Sequence, residues 1–318
     1  MNPIIPMEPK SSPLIPEGKE WIAQVKWDGV RILTYYDGQK VSLFNRKRNE
    51  RTFHYPEIID IQSYCNADSV ILDGEMIALG ADGKPSFHEV MRRDGIRRME
   101  KVAQIQRKIP VTYMIFDVIF RNGQWLNQYS LGERIEILSQ IIKPNNQIQL
   151  ISSHDDGQAL FTVIQEHDME GIVMKKVDSP YLIGKKNDLW LKIKNYRDLN
   201  AAIGGFTLKD GIINAILLGL YNDEGELWYI GHTGTGKLSH QDWSELTAKL
   251  KPTQIKERPF INKPARNSDA YWVQPTLVAK IRYAEWTEGH SLRQPSIQGF
   301  VDIPVYQCRF NQKMVRSG

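Results

Sequence analysis

Lys26-Trp27-Asp28-Gly29-Val30-Arg31 decides how the rest of the chain is read. A lysine closes an apolar run, a glycine permits close backbone approach, and an arginine opens the next β-rich run. At average residue usage a Lys-x-Asp-Gly-x-Arg pattern arises by chance about once in 10^5 starting positions, so it is treated as a signal.

Working outward, 318 residues suit two domains. With 41% hydrophobic and 25% charged residues, the chain is neither a disordered polyelectrolyte nor a fibrous protein. Apolar runs such as 215–218 fall far short of a membrane span, and residues 1–16 are proline-spaced with no apolar signal-peptide centre. The expectation is a cytoplasmic, nucleoid-associated protein with no membrane partner. Cys65 and Cys308 have no Cys or His at ligand spacing nearby, which argues for buried thiols over zinc or a disulfide. A net charge of +4 says little, but residues 91–108 concentrate Arg92, Arg93, Arg97, Arg98, Lys101, Arg107 and Lys108 against Asp94 and Glu100. That density suits phosphate contacts, with a solvated helix face as the plain alternative.

The prolines of residues 3–16 predict an extended arm leading to a strand at 21–25. Further strands are expected at 31–36, 40–45, 70–79, 111–120, 171–176 and 189–193, with Asp37-Gly38 as a hairpin turn. Helices are expected at 55–62, 87–105, 131–140 and 157–167. This is an α+β domain over 1–196 with mixed or antiparallel sheets. Short strands at 201–208, 212–221 and 227–231, a helix at 239–250 and β-rich runs at 271–285 and 299–306 predict an OB-type barrel over 197–318.

Other local patterns follow in order: Asn45-Arg46; Leu72-Asp73-Gly74-Glu75; Ile115-Phe116-Asp117-Val118; Glu170-Gly171-Ile172-Val173; Leu191-Lys192-Ile193-Lys194. In this order and spacing, the set resembles the motifs of the covalent nucleotidyltransferase superfamily, and most of all the ATP-dependent DNA ligases. Trp272-Val273-Gln274-Pro275, Ala284-Glu285-Trp286-Thr287 and Leu292-Arg293-Gln294-Pro295 are similar to the ligase module of bacterial end-joining enzymes of the ligase D type.

What the resemblance implies is a DNA ligase that seals nicks or breaks in duplex DNA through a lysyl-AMP on Lys26 and then an AMP-DNA intermediate. ATP is the nucleotide, and Mg2+ or Mn2+ the metal. Val25, Lys26, Asp28, Arg31, Arg46, Glu75, Phe116, Lys192, Lys194 and Arg293 would bind the nucleotide, with Phe116 stacked on adenine. Glu75 and Glu170 would hold the metal, while Arg31, Arg46, Arg92, Arg93, Arg97 and Arg98 would contact DNA. If Lys26 faces Arg31, Lys192 and Lys194, their charge and desolvation favour the free amine and stabilise the transferred phosphoryl group. The second domain is expected to swing between nucleotide and duplex. A monomer is expected, with room for a Ku-like end-binding partner. An RNA ligase or capping-type nucleotidyltransferase is the alternative, since it shares the lysine chemistry, and a binding module that has lost the chemistry is a further rival.

Gly231-His232-Thr233-Gly234-Thr235-Gly236-Lys237 imitates a P-loop, but Leu238 stands where Ser or Thr would bind magnesium. Departures from the family pattern are Gln24, where relatives tend to carry Glu, Ile297 in place of an aromatic, and Val301 in place of a basic residue that orients pyrophosphate. Arg293 is the candidate to take over that last task.

Overall fold

The computed structural model describes residues 1–265, 268–287, 289–312 and 315–316. The chain divides into two compact units, Met1–Asn195 and Tyr196–Gly318.

In the first unit the arm carries a short strand, β1 (Glu8–Ser11), followed by β2 (Trp21–Val25), β3 (Val30–Tyr36), β4 (Val41–Asn45) and β5 (Val70–Ala78). Then come helices α1 (Phe87–Asp94) and α2 (Val102–Lys108), strands β6 (Val111–Arg121) and β7 (Gln124–Trp125), and α3 (Leu131–Ile141). β8 (Ile148–Leu150), α4 (Gly157–Glu166), β9 (Gly171–Lys176) and β10 (Lys186–Lys194) complete it. One sheet has the order β1-β10-β9-β2, and the other β4-β3-β5-β6-β7 with β8 alongside β6. Strand alternation places Ile22 and Trp190 of the first sheet against Leu33, Tyr35, Ile71 and Ile119 of the second. The opposite face of the larger sheet buries Ile32, Leu43, Leu72, Met76 and Ile115 in a core of its own. α4 covers the outer face of the smaller sheet through Leu160 and Ile164. Sandwiching strands between layers explains why β5 and β6 read as nearly continuous apolar runs.

Helix starts follow their caps. Ser130 and Glu133 form a reciprocal capping box before α3, and Asp156 accepts the Ala159 N–H at 2.8 Å before α4. Two expected helices differ. The 87–105 run breaks at Gly95, whose N–H closes onto Met91 O, because glycine is a poor helix former and its missing Cβ allows that approach. Residues 55–62 form short 3-10 turns, Pro56–Ile58 and Ile61–Ser63, in place of an α-helix.

The second unit is built on one long strand, β11 (Arg197–Lys209), with β12 (Ile212–Tyr221), β13 (Leu227–Thr233), α5 (His240–Leu250), β14 (Gln254–Ile255) and β15 (Tyr271–Val273). β16 (Val278–Tyr283), β17 (Glu285–Trp286), β18 (Leu292–Arg293), β19 (Ser296–Val301) and β20 (Val315–Arg316) follow. β11 pairs with β12, β15, β16 and β20 over different stretches, and its register slips between Ile203 and Gly205. Such bulges curl a sheet toward a barrel. The expected 271–285 strand is split around Pro275, and 299–306 ends in a 3-10 turn after Pro304, since proline cannot donate to a ladder. Lys237 N–H bonds Ile297 O at 2.8 Å, so the glycine-rich turn spends that amide on the barrel. Cys65 and Cys308 are buried free thiols. Among the described residues no helix is long and apolar enough to cross a membrane.

Candidate active site

Two glycines bring the candidate side chains together. A Cβ on Gly29 would lie 2.3 Å from Met76 O and 2.9 Å from Glu75 Cγ, so only glycine lets the turn after Lys26 press onto β5. Gly171 has φ +150 and a Cβ there would meet Ile193 O at 2.1 Å, which locks β9 onto β10 beside Glu170. Lys26 N–H then bonds Gly171 O at 2.9 Å. The result is an ion-paired chain: Glu170 holds Lys26 Nζ at 2.6 Å through one oxygen and Lys194 Nζ at 3.0 Å through the other. Burial pushes the Glu170 carboxyl up, but Lys26 and Lys194 prevail and hold it below its ordinary value. Lys192 is lowered by burial and then by Lys194, Lys186 and Lys26.

Glu75 lies opposite Arg31 in the β3–β5 register, and burial pushes its carboxyl up to about 8 against the pull of Lys26 and Arg31. It also senses the charge of Glu170. Among the described residues no group of three or more His, Cys, Asp or Glu side chains could hold a metal alone. Two carboxylates with the other positions left to water and phosphate oxygens are a donor set that fits Mg2+ or Mn2+.

Arg31 is held on a buried carboxylate: its Nε and Nη2 bond Asp73 at 2.8 and 2.5 Å, and its Nη1 bonds Met7 O at 2.7 Å. Tyr181 OH donates to the same Asp73 at 2.6 Å. Asp73 is fully buried, and an ionised carboxylate there requires a cation. Arg31 also lies against Phe116, with its guanidinium carbon 5.3 Å from the ring centroid. Phe116 stays half-buried, edge-on to Trp190. Val25 ends β2 half-buried, and Asp28 is half-buried in the turn that follows. Arg46 is exposed and lies 3.5 Å from Glu8. In the second unit Arg293 pairs with Glu285 across β17–β18, while Val301 packs against the barrel core.

Among the expected DNA contacts, Arg97 and Arg98 are exposed, and Arg92 is exposed but shared with Glu89 on its own helix at 2.8 Å. Arg93 is a correction. It is fully buried, bonds both Glu57 carboxylate oxygens at 3.0 Å and His54 O at 2.7 Å, and points into the domain because α1 turns that face toward the core.

Sequence reasoning missed Lys175. Its amine lies 4.3 Å from the Phe116 centroid and 4.1 Å from that of Trp190, and burial pushes it down to about 7 although Asp117 and Asp73 act the other way. Alternation along β9 was the available signal, since Lys175 shares a face with Gly171 and Val173. It also missed the Arg134–Asp117 pair, fully buried at 2.7 Å, and the anchoring role of Asp73. Gln24, in β2 two residues before Lys26, donates to Ser153 Oγ at 3.1 Å and leaves its buried carbonyl oxygen without a partner among the described residues.

The first unit thus offers a lysine directly after a strand, two carboxylates and a second pair of lysines, and a separate β-barrel forms the second unit. Residues 10–194 match the family described as ATP dependent DNA ligase domain, and residues 209–302 the ATP dependent DNA ligase C terminal region. The chain belongs to the ATP-dependent DNA ligase family. It is 31% identical over 290 residues to the multifunctional non-homologous end joining protein LigD of Mycolicibacterium smegmatis, covering 89% of this chain and 36% of that protein. The chain thus spans about a third of the LigD relatives. It is 30% identical over 284 residues to the SPbeta prophage-derived DNA ligase-like protein LigB of Bacillus subtilis, covering 89% of this chain and 93% of that one. The crystal structure of the ligase domain of M. tuberculosis LigD superposes with a TM-score of 0.52 at 28% identity, covering 96% of this chain and 97% of that one. The α+β unit with an OB-fold partner is therefore shared with solved ligases.

Proposed function

We propose that this protein seals nicks or breaks in duplex DNA, using ATP in three phosphoryl transfers. The observation that carries the reading is the Lys26–Glu170–Lys194 chain, which puts a nucleophile, a proton acceptor and a second cation within hydrogen-bond reach. In the first transfer the Lys26 nitrogen bonds the α-phosphorus of ATP, the bond to pyrophosphate breaks, and the lysine proton leaves toward Glu170 or solvent. AMP then passes to a 5′-phosphate at the break, and the 3′-hydroxyl displaces it to join the strand. Mg2+ or Mn2+ held through Glu75 and Glu170 supplies neutralisation of phosphate charge.

Lys192 and Lys194 offer cations to the transferred phosphoryl group, and Phe116, backed by Arg31 and Lys175, offers a ring to adenine. Arg46, Arg92, Arg97 and Arg98 are exposed and suited to the DNA backbone, where binding weakens steeply with salt. Arg293 is proposed to serve the pyrophosphate. The protein acts as a monomer in the cytoplasm at the nucleoid, within repair of broken DNA, and a Ku-like end-binding protein is the recruiting partner that this reading brings with it.

Matches to DNA-ligase families over both units do not favour the RNA ligase or capping-type alternative. Labelled adduct formation from ATP against GTP, followed by sealing of nicked DNA against nicked RNA, tests the reading. ATP and DNA are the expected preferences; a GTP adduct or RNA-only sealing would replace it.

A further inference from the structure

The turn Thr52–His54 pushes a phenyl ring into water at a place where its neighbours are fastened down. Arg51 Nε bonds Asp94 at 2.9 Å, the Thr52 hydroxyl accepts the Leu43 N–H at 3.1 Å, and His54 Nε2 lies 3.1 Å from Ile96 O. Tyr55 OH donates to Asp94 at 3.1 Å, and buried Arg93 clamps His54 O from below. Phe53, amid these anchors, is 68% exposed. Exposed apolar residues are common on their own, so the surroundings decide what this one means.

Those surroundings are cationic. The bonds from Arg51 and His54 dock the turn against the end of α1 and the residue before Arg97 and Arg98, both exposed. On its other side the chain arrives from β4 through Arg46, Lys47 and Arg48, also exposed. Arg51 N–H bonds Leu43 O at 2.8 Å, which keeps that stretch folded back on the turn. Of the nearby carboxylates, Glu89 is paired with Arg92 and Glu8 lies 3.5 Å from Arg46, while exposed Glu50 accepts from the Thr52 hydroxyl and keeps its charge, outnumbered by Arg46, Lys47, Arg48, Arg97 and Arg98. A surface that held only phosphates would have no use for a ring, whereas cations interleaved with an aromatic suit a strand whose bases are exposed.

We propose that Phe53 stacks on an unpaired base of the DNA, at an end or gap whose phosphates are held by Arg46, Arg97 and Arg98. The proposal rests on the DNA-ligase reading and deepens it, because it names breaks with single-stranded character as preferred substrates. In an intact duplex the base faces are already stacked on one another and offer the ring nothing.

Binding of the full chain to a duplex with a short single-stranded overhang, and to a blunt duplex of equal length, tests this with wild type, Phe53→Ala and Phe53→Trp across a salt series. Phe53→Ala should lose about ten-fold on the overhang and little on the blunt duplex, with the slope of log affinity against log salt unchanged. Phe53→Trp should retain overhang binding, and both variants should melt with wild type, since the ring is in solvent. Equal loss on the two DNAs, or loss on neither, overturns the proposal. Failure of the ligase reading would show itself separately, as wild-type protein that takes up no AMP from ATP.

Discussion

Glu170 and Lys26 meet at 2.6 Å, and the other oxygen of the same carboxylate holds Lys194 at 3.0 Å. One carboxylate therefore ties both lysine amines, and in the proposed reaction it would position the nucleophile and take up its proton. Replacing Glu170 with Gln keeps the shape and removes the charge. We expect single-turnover formation of enzyme-AMP to slow by about 10^2-fold or more, the usual contribution of a positioned acid–base group. An unchanged rate would reduce Glu170 to a structural tether.

Asp73 is the buried anchor of Arg31 and Tyr181. Removing one partner of a buried pair leaves an uncompensated charge and costs roughly 3–5 kcal/mol. Asp73→Ala should lower the urea unfolding free energy by about that much, and the Arg31→Ala, Asp73→Ala double variant should lose much less than the sum of the two. Additive losses would show that the two side chains act independently.

Lys175 sets a pH dependence whose sign is fixed by its folded value of about 7 against an ordinary 10.5. Between those values the unfolded chain binds a proton that the folded one releases, so protonation favours unfolding. The penalty is fully present below about pH 7 and fades as pH rises toward 10.5. Lys175→Met should raise the melting temperature of the free protein more at pH 6 than at pH 9.5. A uniform rise at both would remove the titration from the explanation.

Arg93 and Arg97 separate structure from binding within one basic segment. Arg97→Ala should weaken DNA binding across sequences and reduce the salt slope by about one. Arg93→Ala, which orphans buried Glu57, should instead destabilise the fold by roughly 3–5 kcal/mol. A reduced salt slope in correctly folded Arg93→Ala protein would reverse that assignment.

How much of this could be read from the chain depended on the kind of physics involved. Strand alternation and capping residues are local, and most strands and helix starts were legible from them, while the Lys26, Glu75, Glu170 and Lys194 motifs are local enough to nominate the candidate site. What stayed hidden depended on direction. Residues 91–108 look predominantly basic along the sequence, yet α1 aims Arg93 inward while Arg97, in the irregular stretch after Gly95, is exposed. Arg31 sits within the decisive motif, but its partner Asp73 lies across a neighbouring strand, and Lys175 is adjacent to Phe116 only because two sheets pack face to face. Pairings between sheets have no spacing signature.

The central claim is that Lys26 becomes covalently bonded to AMP. Intact mass of the full chain, first treated with pyrophosphate and then incubated with ATP and Mg2+, measures it directly in wild type and Lys26→Ala. The account predicts a gain of one AMP in the wild type and none in the variant. An unmodified wild type, or equal labelling of both, would contradict it.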